Sequence, residues 1–242
     1  MIKFFRKIRY SLMSENKTGK YIKYALGEIL LVMIGILLAL QVNNWNEERK
    51  EKEKELNVLL DISETLNENL LTLEYAIEHL KTSNNSSHIV LRLLNDSIAL
   101  SDTLDVHFDR AKWDSPRLLE GLSDAGYISL TNIGFDFINN NDLRKLVIRH
   151  FSKDYQELIS SFNWRKELYA NYDEYIRRNF IDFGGPRAFP LNPDIVLKDN
   201  YYRSIISTIY DHRKTRLILT QEFHDKTLSL LQTINEEIKL ME

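Results

Sequence analysis

One stretch, YALGEILLVMIGILLALQVNNWNEERK (Tyr24–Lys50), constrains this chain more than any other. From Ala25 to Val42 every residue is apolar except Glu28 and Gln41. As a helix at ~1.5 Å per residue, that run covers roughly 27 Å, about one hydrocarbon core. It is either a cleavable signal peptide or a retained anchor. A cut site needs small residues at its −3 and −1 positions, and the nearest candidate, Ala39-Leu40-Gln41, ends in Gln. The leader before the apolar core, residues 1–24, is also long for a signal peptide. The expectation is a transmembrane helix over 25–45, with Tyr21 and Tyr24 at one headgroup level and Trp45 at the other.

Charge sets the orientation. Lys3, Arg6, Lys7, Arg9, Lys17, Lys20 and Lys23 precede the span, opposed only by Glu15, whereas Glu47 to Glu55 alternate in sign around Arg49, Lys50, Lys52 and Lys54. A basic flank stays on the cytoplasmic side. This predicts a single-pass protein of the cell's inner membrane, with residues 1–24 as a cytoplasmic leader and 46–242 as a periplasmic domain. Ile2, Phe5, Ile8 and Leu12 recur at helical spacing among the basic residues. The leader is therefore either an amphipathic helix on the anionic leaflet or a disordered positive segment. The basic cluster is short and tied to the bilayer, so no nucleic-acid partner is expected.

Glu28 is the costly residue, because an ionised carboxylate in hydrocarbon costs several kcal/mol, less near the end of a span. One account has it snorkel to the cytoplasmic surface and pair with Lys23 or Lys20. A second places it against another helix, of a second copy or of a different membrane protein, with Gly35 and Ala39 as the small-xxx-small pair that permits close approach. A proton relay is the third.

Two blocks carry a resemblance. FFRKIR followed by SENKTGKYIKYALGEILLVMIGILLALQVNNWNE, and YISLTNIGFDFINNNDLRKLVIRHF (Tyr127–Phe151), together resemble a family of uncharacterised single-span membrane proteins common in one large group of Gram-negative bacteria. The shared features are the basic start, the Gly27-Glu28-Ile29 entry and the Gln41–Asn46 exit. The resemblance implies a membrane location and offers no activity.

Beyond Trp45 the chain reads as helices. At 43% hydrophobic and 28% charged it has a globular composition, and its eight Gly and four Pro leave long uninterrupted elements. Leu59, Ile62, Leu66, Leu70, Leu73, Ile77 and Leu80 form one helical stripe that TSNNSSH (Thr82–His88) is expected to end. Ser115-Pro116 starts a further helix, and a short one follows to Ile138. Asn139–Asp142 caps a long helix bearing Val147, Phe151, Leu158, Phe162, Tyr169, Tyr172, Ile176 and Phe180. Asp182–Asp194, rich in Gly and Pro, reads as an irregular loop. A last helix from about Lys198 presents Ile209, Phe223, Thr227, Leu230, Ile234, Ile238 and Met241. The predicted fold class is all-α: one N-terminal transmembrane helix, then an antiparallel helical bundle.

Catalytic signatures are sparse. Cys is absent, which removes disulfides and thiolate metal sites. His150, Asp154 and Glu157 share a helix face, an arrangement common by chance, so neither a metal nor a cofactor is expected. GLSDA (Gly121–Ala125) lacks the last Gly and the strand–helix setting of a nucleophile elbow. The helical spacing of the tyrosines in 163–180 reads as core packing with a solvated basic edge, or else Arg165, Arg177 and Arg178 line a pocket for an acidic or aromatic ligand. Arg187 in the Gly/Pro loop is a further ligand candidate or a helix C-terminal cap. The sequence thus predicts a non-enzymatic membrane-anchored protein whose outer bundle binds partners or its own copies. The alternative is an extracytoplasmic small-ligand sensing module acting through a membrane partner.

Overall fold

Long runs of good helix formers, free of Pro and, after Gly35, free of Gly, produce two dominant helices. In the computed structural model, which describes residues 18–112, 119–163, 166–182 and 187–241, helix α1 spans Thr18–Leu94, 77 residues. The C-terminal helix, α8 below, spans Asn200–Met241. The chain divides into two compact units, Met1–Lys54 and Glu55–Glu242.

In the first unit the described part is the beginning of α1. Its most apolar window has a mean hydropathy of 2.4, and none of that window is buried. Leu26, Ile29 to Ile34, Ile36 to Leu38 and Leu40 are all about half exposed or more. This is a helix long and apolar enough to cross a membrane. The leader 1–17, and the side chains of Lys20, Tyr21 and Tyr24, lie outside the described residues.

In the second unit α1 and α8 pack antiparallel. Ser63 Oγ donates to Asn235 Oδ1 at 3.2 Å, Glu74 lies 3.9 Å from His224, and the His88 and Tyr210 rings stack at 5.8 Å. Arg203 donates to the Leu94 carbonyl. Contacts that climb one helix descend the other. Between and beside them lie α2 (Asp105–Lys112), α3 (Ala125–Ile133), α4 (Asn141–Arg149), α5 (Tyr155–Asn163), α6 (Lys166–Asn179), strands β1 (Phe180–Asp182) and β2 (Ala188–Pro190), and α7 (Pro193–Val196), before α8 closes the order. A π-turn, His150–Asp154, joins α4 to α5.

Among the described residues, three apolar clusters fill the unit. Leu59, Ile62 and Leu66 meet Leu130, Leu143, Val147, Phe151 and Ile234. Leu73, Ala76 and Leu80 meet Leu158, Phe162 and Phe223. Val90 and Leu94 meet Phe108, Tyr172, Ile176, Phe180, Tyr202 and Ile206. The expected all-α bundle is thus the observed architecture, with a short two-stranded antiparallel ladder added among the described residues.

Three local expectations are corrected. The helix does not end at Thr82–His88; it runs to Leu94. Ser83 and Ser87 continue the buried stripe (Leu80, Ser83, Ser87, Val90, Leu94), because small hydroxyl residues leave room for the fully buried Arg213 of α8. Arg213 Nη1 donates to Ser87 Oγ at 2.8 Å. The real stop is Asp96, at φ 55°, with Ser97 N–H bonded to the Arg92 carbonyl at 2.9 Å and Asp96 N–H to Leu93 at 3.0 Å. That is a Schellman cap with Asp in the left-handed position. Second, the helix expected to carry Phe180 ends at Asn179, and Phe180 opens β1, which pairs antiparallel with β2 of the Gly/Pro loop, Ile181 opposite Phe189. Third, Ala76 rather than Ile77 is fully buried; Met241 packs against the core as expected, half-buried. The helix start at Ser115-Pro116 lies outside the described residues, as do Arg165 and the side chain of Tyr169.

α3 is set against α1 by close approach. A Cβ on Gly126 would stand 2.7 Å from the Asp61 carbonyl oxygen and the Ile62 Cα. Gly126 N–H donates to Thr65 Oγ1 at 3.0 Å. One turn on, the fully buried Asn69 clamps Ser123, accepting its N–H and donating to its carbonyl, both at 2.8 Å. Buried polar groups are tolerated when paired in this way.

Candidate functional site

The span residues come first. Gly35 has open space around its Cβ position, Ala39 and Trp45 are exposed, and Glu28 is partly exposed. Such a face is available to a second helix or to lipid.

The arginines singled out from sequence separate. Arg177 pairs with Asp173 at 2.7 Å and Arg178 with Glu174, each one turn apart on the exposed face of α6. Arg187 lies 3.6 Å from Asp105. Arg178 lines an open cleft beside Tyr175 and Tyr201, which Arg177 and Arg187 do not line. Ser123, of the elbow-like GLSDA, accepts the Ala125 N–H on its Oγ at 3.2 Å, a local turn bond.

A cleft of about 250 Å³ does form at the π-turn, lined by Leu146, Arg149, His150, Asp154, Lys226, Ser229, Leu230 and Thr233. Its geometry starts with α4. Asn140 caps that helix, accepting the N–H groups of Asp142 and Leu143 on its side chain, which fixes the register of Leu143 and Val147 against α1. The stripe then meets two bulky residues in succession, His150 and Phe151, and both are buried. The helix accommodates them by widening: Tyr155 N–H bonds to the His150 carbonyl, five residues back. Widening also brings residues five apart onto one side. Arg149 Nε stands 3.9 Å from Asp154 Oδ2, and Lys226 of α8 donates to Asp154 Oδ1 at 2.7 Å.

His150 forms the inner wall. Its ring stacks on Phe223 at 4.7 Å and meets Phe151 edge-on at 5.0 Å. Its Nε2 is buried with no hydrogen-bond partner among the described residues. Burial lowers the imidazole from 6.5 to about 4, with Asp154 opposing the shift and Lys226 adding to it. The ring is therefore neutral near pH 7.

Glu157, the third member of the face read from sequence, is exposed, and Asp154 is held by a lysine. Among the described residues no group of three or more His, Cys, Asp or Glu is placed to hold a metal ion.

The sequence reading missed Lys226 and Arg149 in the cleft, and Arg213 and Arg216 in the core. The core pair was findable. Ile209, Arg213, Arg216, Thr220, Phe223 and Thr227 step by four and three, so the arginines occupy core positions of a register otherwise made of apolar residues and threonines. Arg216 donates to the Phe162 carbonyl at 2.9 Å and lies 4.8 Å above the Phe162 ring. Lys226 gave no such cue, since it lies one position beside the stripe.

Comparison with curated proteins returned no match, and neither did comparison with solved structures. A family model does match, over residues 28–159, a stretch that begins at the span carboxylate and takes in α3, α4 and the π-turn. With more than half of its length covered, the chain belongs to the DUF6090 family of unknown function.

Proposed function

We propose that this chain is a membrane-anchored, non-enzymatic protein of a bacterial inner membrane, whose outer helical bundle works through contacts with its own copies or with another membrane protein. The observation that carries it is the apolar window in α1, of mean hydropathy 2.4, no part of which is buried within the chain itself. So much exposed apolar surface requires lipid or a partner. The basic residues before it favour a cytoplasmic N-terminus, which assigns the bundle to the periplasm. Glu28, Gly35 and Ala39 are the residues of the span best suited to a helix contact, a carboxylate to hydrogen-bond and two small residues to permit approach.

Light scattering on the full-length protein in an uncharged detergent tests the assembly role. The expected result is a defined oligomer that dissociates in Glu28→Gln or Gly35→Leu. A monomer in all three proteins would rule out self-assembly through the span.

A further inference from the structure

The cleft at the π-turn holds more positive charge than its own carboxylate balances. Two cations, Arg149 and Lys226, address one anion, Asp154, and the histidine in the wall is neutral near pH 7. Lys226 makes a true hydrogen bond to Asp154, at 2.7 Å. Arg149 does not: 3.9 Å is too long for one, and its guanidinium makes no hydrogen bond among the described residues. An unengaged guanidinium fork is the side chain best matched to a carboxylate, which it binds through two parallel N–H donors.

The rest of the lining gives the ligand a shape. Leu146 and Leu230 are apolar, whereas Ser229 and Thr233 add hydroxyls along α8. A volume of about 250 Å³ exceeds the roughly 150 Å³ that encloses benzene, so the space suits a body of about ten non-hydrogen atoms. Two further features mark the place. The π-turn departs from α geometry here, as such turns often do at functional sites. His150 also keeps a buried, unpartnered Nε2 in the wall.

We propose that this cleft binds a small organic monocarboxylate, its carboxylate held by Arg149 and Lys226 and its apolar body lying between Leu146 and Leu230. One negative charge balances the single surplus positive charge. A phosphate dianion would leave net negative charge beside Asp154.

The test uses the full-length protein in an uncharged detergent, with calorimetric titration of benzoate, of benzamide as its uncharged analogue, and of inorganic phosphate. Expected is saturable benzoate binding with a Kd of roughly 0.1–1 mM, and benzamide and phosphate each weaker by about tenfold or more. Arg149 is largely exposed, with a side-chain accessibility of 64%, so Arg149→Gln leaves the fold intact and weakens benzoate by about tenfold. Lys226→Gln, read beside it, weakens benzoate as well. Lys81→Gln, which removes an exposed cation of α1 away from the cleft, leaves binding unchanged. The site is refuted if benzoate does not saturate below about 20 mM, if benzamide binds equally well, or if Arg149→Gln and Lys226→Gln both bind like the parent. Phosphate binding tighter than benzoate would overturn the carboxylate assignment.

Discussion

His150 makes the stability of the bundle depend on pH in a calculable way. Burial against Phe223 and Phe151 lowers its pKa from 6.5 to about 4. In the unfolded chain the ring takes up a proton below about pH 6.5, whereas in the folded chain it resists until about pH 4. The unfolded state therefore binds more protons in that window, and stability falls as pH drops through it. His150's contribution is fully present above pH 6.5 and is lost progressively toward pH 4. At 1.36 kcal/mol per tenfold, the loss is about 2 kcal/mol near pH 5 and about 3 kcal/mol once both forms are protonated. The charges facing the ring are Asp154, Lys226 and Arg149, and the first two oppose each other. His107, also lowered by burial, acts with the same sign, so the effect of His150 must be isolated by difference. The variant is His150→Phe, which keeps a flat ring on Phe223. Melting the full-length protein in an uncharged detergent, near pH 8 and near pH 5, should show the parent losing about 2 kcal/mol more than the variant. For a unit of this size that is roughly 4–8 °C in Tm. Equal losses in the two proteins would refute the assignment of a neutral buried histidine.

Two further substitutions probe the packing. Gly126→Ala places a methyl 2.7 Å from backbone atoms of Asp61 and Ile62, and rigid backbone cannot yield as a side chain can. It should destabilise the bundle by about 1–3 kcal/mol or more, read as a fall in Tm, whereas an unchanged Tm would contradict the close α1–α3 approach. Arg213→Ala removes a fully buried side chain and its bond to Ser87, at an expected cost of about 3 kcal/mol. Ser87→Ala should cost about 1 kcal/mol, and a larger loss for Ser87→Ala than for Arg213→Ala would reverse the roles assigned here.

The bundle was legible wherever its core is apolar. The steps of three and four through Leu59 to Leu80, and from Phe223 to Ile238, predict the two helices and the faces they bury. Legibility failed where polar residues take core positions. Ser83 and Ser87 have the composition of a turn, yet they continue a helical register opposite Arg213, and only the pairing of two distant segments reveals why. Asn69, which holds the Ser123 backbone, lies just beside the apolar stripe and gave no warning of its 54-residue reach. The cleft was half-visible. His150 and Asp154 were readable as one face, but the π-turn that brings Arg149 to Asp154 follows from packing two bulky neighbours, and Lys226 arrives from the far end of the chain.

The central claim, an anchored chain with its bundle outside the cytoplasm, is tested most directly by protease accessibility in Gram-negative cells expressing the full-length protein with a C-terminal tag. The account predicts that the chain stays in the membrane after alkaline carbonate extraction, and that the tag is digested once the outer membrane is opened while the inner membrane stays sealed. Release by carbonate, or a tag protected until the inner membrane is lysed, would contradict it.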